Sequence, residues 1–560
     1  MNIVVRALRG RRRLALPAVT GLLACVAVAT LGGRVAQAAG GSSAPIGNAP
    51  ALLPAPTCPT PPASETTPWA DPKFGADCQA QYVIDDLENS ASTLYQQVNG
   101  TPTQTTLQRL EAAIANGNNI VAANGAKTSL LALYGLTTKG GTDDGATGER
   151  PSGLAFPSAL ALGATWDTPD ASAYGTMFGQ EFHRTGLSGT LAPVIDIDRT
   201  WHTGRENENF GEDPFLTGSM IAPEVRAIQA QGVMTTVKHC CAYTQEQGRA
   251  GQALALNSTP IPNTGENEQV SERALEEIYG PAWQAAVGPN QGDAMSVMCG
   301  YAIVNGPATP PFTGADSCGN KFILNDLIKG QYGFQGTFTP DAATAMRDSS
   351  VLNFENGADG GDVSLTPAQL QAIVGDGSGD GQTNADGSQN IISQARLVDE
   401  VRRIVLQSTK NERFLNPPTN TGIGDGVAQD EATSASIEEG GAVLLKDQGD
   451  VLPIRRPTGS IAVIGTQAGP NSDPAVGPVT TEQPQVDNDG SPFVNPANQF
   501  TDTATGQTFG YSSALSGIVA RAGQNQTVTY SPGSVGLAEQ PGLAASGSTS
   551  GAGSLVMPDH

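Results

Sequence analysis

Positive charge is scarce in this sequence. Only 30 Lys and Arg stand against 54 Asp and Glu in 560 residues, a formal charge of −24. Proteins that grip nucleic acid do so with clustered bases that neutralise phosphates, so this balance excludes general nucleic-acid binding. Charged residues of both signs make up 15% of the chain, too few for a long coiled coil. No internal repeat is visible. Metal-ligand clusters are missing too: His239 stands beside Cys240 and Cys241, but no second spaced ligand set accompanies it, so neither metal nor cofactor is expected. What the chain does have is glycine and proline, 68 and 39 residues, and an apolar fraction of 38%. That is enough for a packed core and argues against global disorder. The length suggests roughly three or four domains, although a barrel can take about 250 residues as one unit.

The first 38 residues read as an address. They hold six arginines and no acid, an apolar run from Leu14 to Leu31, and the small-residue site Ala36-Gln37-Ala38. That order is a secretory signal peptide rather than a membrane anchor. Its removal leaves 24 bases against 54 acids, or −30. The mature protein is therefore expected to be secreted or periplasmic, with no membrane partner. Six cysteines remain, in a compartment where disulfides persist. Cys58 with Cys78 and Cys299 with Cys318 are the favoured pairs, because each closes a loop of modest length. Adjacent Cys240 and Cys241 look hard to bridge to each other.

Residues 39–80 are rich in Pro, Ala and Thr and are expected to form an exposed linker. From about Gln81 short apolar runs alternate with amphipathic stretches. Thr190 to Ile197 (TLAPVIDI), Val233 to Val237, Ala294 to Cys299 and Gly336 to Thr339 read as buried strands. Ser271 to Val287 reads as a helix with Leu275, Ile278 and Ala282 on one face, and Leu397 to Leu406 as a closing helix. This alternation over residues 81–410 predicts a parallel α/β fold, a (β/α)8 TIM-like barrel. A linker is expected at 411–435, and a second α/β unit restarts over 436–560 with IAVIG at Ile461 to Gly465.

Polar residues gather just after the predicted strands, where barrel active sites are built. Asp144 and Arg150 lie in the Gly-rich turn DDGATGER, which is also an ordinary Asp-Gly turn. Arg205 and Glu208 lie in GRENENFGEDP, equally readable as a salt-bridged solvated loop. Lys238 and His239 end a strand and could donate to sugar hydroxyls. Asp341 follows the strand GTFT and Pro340, as a nucleophile or as a helix N-cap. Each has a structural alternative alone. In this order on successive loops they favour a site.

These motifs resemble glycoside hydrolase family 3, the β-glucosidase and β-xylosidase group, from about Leu133 to Gly533. DDGATGER is similar to the family's DGPxGVR loop and GRENENFGEDP to its GRxxExxxEDP motif. VKH matches its KH pair, VMCGYAIVNG its VMCSYNxVNG strand, and GFQGTFTPDA its GFxGxVxSDW segment. AVLLKDQGDVLPI and IAVIG resemble the start of the family's second, α/β-sandwich domain, here incomplete. The resemblance implies a retaining, exo-acting hydrolase of terminal β-linked sugars. Asp341 would be the nucleophile, and Asp144, Arg150, Arg205, Lys238, His239 and Tyr301 would bind the sugar, with Glu208 in support. Two departures stand out. Pro340-Asp341-Ala342 replaces Ser-Asp-Trp, removing the Trp that would stack on the aglycone side, and Tyr301-Ala302 replaces Tyr-Asn.

A retaining glycosidase needs two carboxyl groups about 5–5.5 Å apart, a nucleophile and an acid/base. Asp341 would be kept ionised by Lys238 and by Arg150 or Arg205. The family carries its second carboxyl on the second domain, beyond the equivalent of His560, so the chain reads as truncated. Glu539, in GLAEQPG, has no supporting context. The N-acetylglucosaminidase branch uses a His after the KH pair, and CCAYTQEQGR contains none. The alternative expectation is a catalytically impaired carbohydrate-binding homologue.

Overall fold

The computed structural model describes residues 51–89, 105–111, 156–245, 267–305, 315–341, 356–359, 367–410 and 427–454, apart from single positions inside them. It also describes short pieces at 255–256, 259–260, 460–464, 500–501, 508–509, 514–522 and 527–531. The expected signal peptide, and the turn with Asp144 and Arg150, lie outside these residues.

Four strands form one parallel sheet in sequence order: β1 (Gly189–Thr190), β2 (Met234–Cys240), β3 (Ser296–Cys299) and β4 (Thr337–Pro340). Helices fill the connections, as parallel pairing requires. Among them are α2 (Thr168–Arg184), before β1, and α3 (Pro214–Gln229), between β1 and β2. Glu272–Ala274 runs through a π turn at Leu275–Tyr279 into α4 (Gly280–Val287), and a π-helix at Phe322–Gln331 precedes β4. The fold is thus α/β with a parallel sheet, as the alternation predicts.

The predicted strand Thr190–Ile197 is mostly irregular. Only Gly189–Thr190 joins the ladder, with one further bridge from Val194 to Lys238. Pro193 has no N–H to give a neighbour. It contributes its carbonyl instead, which accepts from Lys238 N at 3.0 Å.

The sheet is covered by a single apolar layer. Val237, Val297 and Phe338 from the strands pack with Phe178, Phe182, Met220, Ile221, Val225, Trp283 and Leu324 from the helices. Helices α2 and α3 meet closely because Gly175 faces the carbonyl of Glu224; a Cβ there would sit 2.5 Å from that oxygen. Asp213 caps α3, accepting from Phe215 N at 2.8 Å and Leu216 N at 3.2 Å, with Pro214 as the first helical residue. The Glu-Asp-Pro run therefore does ordinary helix-starting chemistry.

The stretch expected to be an exposed linker is exposed or half-buried over residues 51–68 and packs from Trp69 onward. Trp69, Cys78, Val83, Ile84 and Leu87 form a second core with Leu397, Val401 and Val405. Apart from Trp69, on the 3-10 turn Pro68–Ala70, these come from α1 (Gly75–Glu88) and α5 (Gln394–Lys410). Leu53 N donates to Asp399 at 2.6 Å, Arg402 donates to Leu53 O and Arg403 to Ala51 O. Partners 346 to 352 residues away hold this segment, so its composition alone cannot reveal its packing.

Helix α6 (Val427–Gly441) begins inside the stretch expected to be linker. It packs on the first unit through buried Ile437, and its Asp430 pairs with Arg184 at 2.5 Å. Beyond it, β5 (Ser460–Ile464) pairs in parallel with β6 (Thr527–Ser531), next to α7 (Ala514–Ala522). Cys58–Cys78 and Cys299–Cys318 are bonded as expected. Cys240 and Cys241 are bonded to each other, against expectation. Their peptide is cis, and their Cα atoms are 3.0 Å apart.

Candidate active site

The site is built at the C-terminal ends of the parallel strands, where the chain leaves the sheet. β2 ends Lys238-His239-Cys240, wholly buried. β4 ends at Pro340, and Asp341 follows it, its backbone N–H donating to Cys299 O of β3 at 3.0 Å. Asp341 therefore extends the ladder by one bond and leaves the sheet with its side chain at the edge. That side chain is 16% exposed, against 1% for His239.

His239 is the hub. Its Nε2 lies 3.7 Å from Asp341 Oδ2 and 3.4 Å from Arg205 Nη1. On the other side of the ring, Nδ1 is 2.8 Å from Asp196 Oδ2, and the His239 backbone N–H donates to Asp196 Oδ1 at 3.1 Å. One carboxylate thus holds both the ring and the main chain of the same residue. The Tyr243 ring lies 5.0 Å from the imidazole, tilted by 33°. Gly300 permits this crowding: a Cβ there would approach His239 Cβ and the Tyr243 ring to 3.1 Å.

Arg205 is fixed by Glu208 in a two-pronged pair, Nε to Oε1 at 2.9 Å and Nη2 to Oε2 at 2.5 Å. Glu208 lies on the short 3-10 turn Glu206–Glu208, three residues on, which points both groups the same way. Fork-to-carboxylate pairing of this kind is strong and sets orientation. Both residues are buried, so the charged-loop motif is folded inward rather than solvated. In the same loop Asp198 accepts from Asn209 at 2.7 Å; burial pushes its carboxyl up to about 6, and the Asn209 bond moderates the rise.

The structure therefore brings Arg205 and Asp341 to the His239 imidazole, with Glu208 holding Arg205 from behind. Lys238, beside His239 on β2, is buried, as is Tyr301, two residues past the end of β3. Asp144 and Arg150 lie outside the described residues. Asp196 escaped the sequence reading: it sits inside a predicted strand, and its partner is 43 residues away. The one available signal was its charge, placed two residues past Val194 in an otherwise apolar run. Among the described residues no three His, Cys, Asp or Glu side chains come together as a metal-ligand set.

A buried histidine hub thus stands beside a partly exposed carboxylate at the strand ends of a parallel α/β sheet, the position where α/β folds build their sites. Residues 140–366 match the family model described as the glycosyl hydrolase family 3 N-terminal domain. The match covers the stretch that carries the motif resemblance. Among relatives, "Beta-glucosidase B" of Emericella nidulans is 29% identical over 329 residues, covering 56% of this chain and 34% of that protein. "Probable beta-glucosidase L" of Aspergillus terreus is 30% identical over 332 residues, covering 57% and 40%. The chain spans about a third to two fifths of the length of these relatives. Solved structures share the fold. A β-glucosidase from Streptomyces venezuelae in complex with D-glucose has a TM-score of 0.54 at 24% identity, covering 76% of this chain and 50% of that one. The β-D-glucoside glucohydrolase of Trichoderma reesei has 0.57 at 22%, covering 84% and 58%.

Proposed function

We propose that this chain is the sugar-binding and nucleophile-bearing part of an exported, exo-acting, retaining β-glucosidase-type hydrolase. The observation that carries the reading is Asp341: a partly exposed carboxylate one residue past β4, with the His239 ring 3.7 Å from it and Arg205 on the same ring nitrogen. β1 to β4 are then consecutive staves of the (β/α)8 barrel, and β5, β6 and α7 belong to its α/β-sandwich partner.

In this mechanism Asp341 Oδ attacks the anomeric carbon of the terminal sugar. The glycosidic C–O bond breaks, and its electron pair leaves with the aglycone oxygen, which takes a proton from the acid/base carboxyl. Water then releases the sugar. Lys238, His239 and Arg205, with Asp144, Arg150 and Tyr301, grip the hydroxyls of the sugar ring. Such bonds accelerate the reaction to the extent that they tighten in the transition state. The substrate is a neutral β-glucoside or β-linked oligosaccharide, and an acidic composition presents no obstacle to it.

The test is hydrolysis of 2,4-dinitrophenyl β-glucoside, whose leaving group departs without protonation. Turnover by the wild-type chain that disappears in Asp341→Ala supports the reading. Glucose binding without turnover would replace it with the carbohydrate-binding alternative.

A further inference from the structure

Two described partners of the His239 ring, Arg205 and Asp196, point to one tautomer. Arginine only donates, so Arg205 Nη1, 3.4 Å from Nε2, needs a lone pair on that nitrogen. The ring proton then belongs on Nδ1, where Asp196 Oδ2 accepts it at 2.8 Å. Asp196 can do this only because it offers two acceptor oxygens, the other being taken by the His239 backbone N–H. It lies in the irregular stretch after Pro193, whose carbonyl accepts from Lys238 N, while Ile195 N donates to Lys238 O at 2.9 Å. That stretch is bonded to β2 on both sides of Lys238, so Asp196 and His239 move as one body.

We propose that Asp196 is a positioning residue of the active site: it holds His239 as the Nδ1–H tautomer, leaving the Nε2 lone pair toward Arg205 and Asp341. This rests on the glycosidase reading of the pocket. The consequence for chemistry is electrostatic. In that tautomer His239 presents no Nε2 proton to Asp341, 3.7 Å away. Moving the proton to Nε2 sets donor against donor at Arg205 and aims an N–H at the nucleophile, which lowers its reactivity. An asparagine at 196 has one acceptor oxygen and one NH2 group. With the oxygen kept on the backbone N–H, the NH2 faces Nδ1 and drives the proton to Nε2.

The test uses the full chain and two readouts. In the first, 15N spectra of the histidine rings report which nitrogen is protonated. The chain has four histidines, and His239→Asn assigns the signal. We expect Nδ1–H in the wild type and Nε2–H in Asp196→Asn. In the second, intact-mass kinetics follow trapping of the chain by 2,4-dinitrophenyl 2-deoxy-2-fluoro-β-glucoside. Asp196→Asn should trap more slowly by about 10- to 100-fold, the range seen when the partner that orients a metal-bound histidine is lost. Its KM for the parent glucoside should change far less than its kcat.

An Nε2–H tautomer in the wild type overturns the proposal, and this needs no variant to fold. So does trapping of Asp196→Asn within twofold of wild type. Absence of any trapping in the wild type overturns the glycosidase reading instead, while the ring assignment still tests the role of Asp196.

Discussion

Strand β4 carries a buried charge cluster at each end, and the two differ in one respect that separates structure from function. At the start of β4, Lys329 of the π-helix donates to Asp359 at 2.6 Å, and Arg396 of α5 reaches the same oxygen at 3.1 Å. The other oxygen of Asp359 accepts from Phe338 N at 3.1 Å, and Arg403 donates to Phe334 O and Gly336 O. This cluster clamps the strand and is sealed: the Lys329, Asp359 and Arg396 side chains are all under 5% exposed. Burial works to raise the Asp359 carboxyl, but Lys329 and Arg396 outweigh it and hold the group below its ordinary value. At the far end, Asp341 stands among His239 and Arg205 with its carboxylate reaching solvent. Charges that meet only protein fix a strand. Charges that also meet the outside can meet a substrate.

The sharpest way to separate the two ends is to remove one carboxylate from each. Asp341→Ala should lower aryl-glucoside turnover by about 10⁴-fold or more, the scale seen for removal of a covalent nucleophile. Its melting temperature should stay within a few degrees of wild type. Asp359→Asn should do the reverse. Removing one member of a buried ion cluster costs about 3–5 kcal/mol, read in urea titration, while kcat per folded molecule is retained. If Asp359→Asn abolishes turnover in a fully folded chain, the division between the two ends of β4 collapses.

Glu208 offers an intermediate effect. Glu208→Gln keeps the shape but turns one prong of the Arg205 pair into an opposing NH2 group. A hydrogen bond to a charged group contributes about 1.5–3 kcal/mol, so KM for the aryl glucoside should rise about tenfold with a smaller change in kcat.

A third kind of buried carboxyl is read in the pH dependence of stability rather than in turnover. Glu224 on α3 is fully buried, its Oε2 has no hydrogen-bond partner among the described residues, and burial pushes its pKa up to about 8. A carboxyl raised in the folded state binds more protons folded than unfolded. Its contribution is fully present below its unfolded pKa, near 4.5, and is lost as pH rises through about 8. The wild-type melting temperature should therefore fall between pH 5 and pH 8, and Glu224→Gln should flatten that slope. An unchanged slope would mean that Glu224 stays ionised in the fold.

Much of the sheet was legible because buried parallel strands read as short apolar runs. Val233 to Val237, Ala294 to Cys299 and Gly336 to Thr339 each overlap an observed strand. Thr190 to Ile197 misled because its apolar residues pack around a proline that cannot donate. The motif residues Arg205, Glu208, His239 and Asp341 could be picked out because each lies just past a strand or in a dense charged loop. Asp196 could not, since the pair that gives it a role spans 43 residues and the main-chain bonds that place it come from β2. Asp359, Lys329 and Arg396 were equally hidden: separations of 28 to 38 residues link them to one another and to the backbone they hold. The packing of residues 51–80 rests on partners at the other end of the first unit, and composition registers only that the segment is rich in proline. The Cys240–Cys241 bond depends on local backbone geometry that adjacency in the sequence does not reveal.

The most direct test of the account is to digest the chain after reaction with 2,4-dinitrophenyl 2-deoxy-2-fluoro-β-glucoside and locate the sugar by mass spectrometry. The account expects one fluoroglucosyl group per chain, on the peptide containing Thr337 to Asp341 and at Asp341 itself, with none in Asp341→Ala. A label on another carboxylate, or an unlabelled chain that still turns over the parent glucoside, would contradict it.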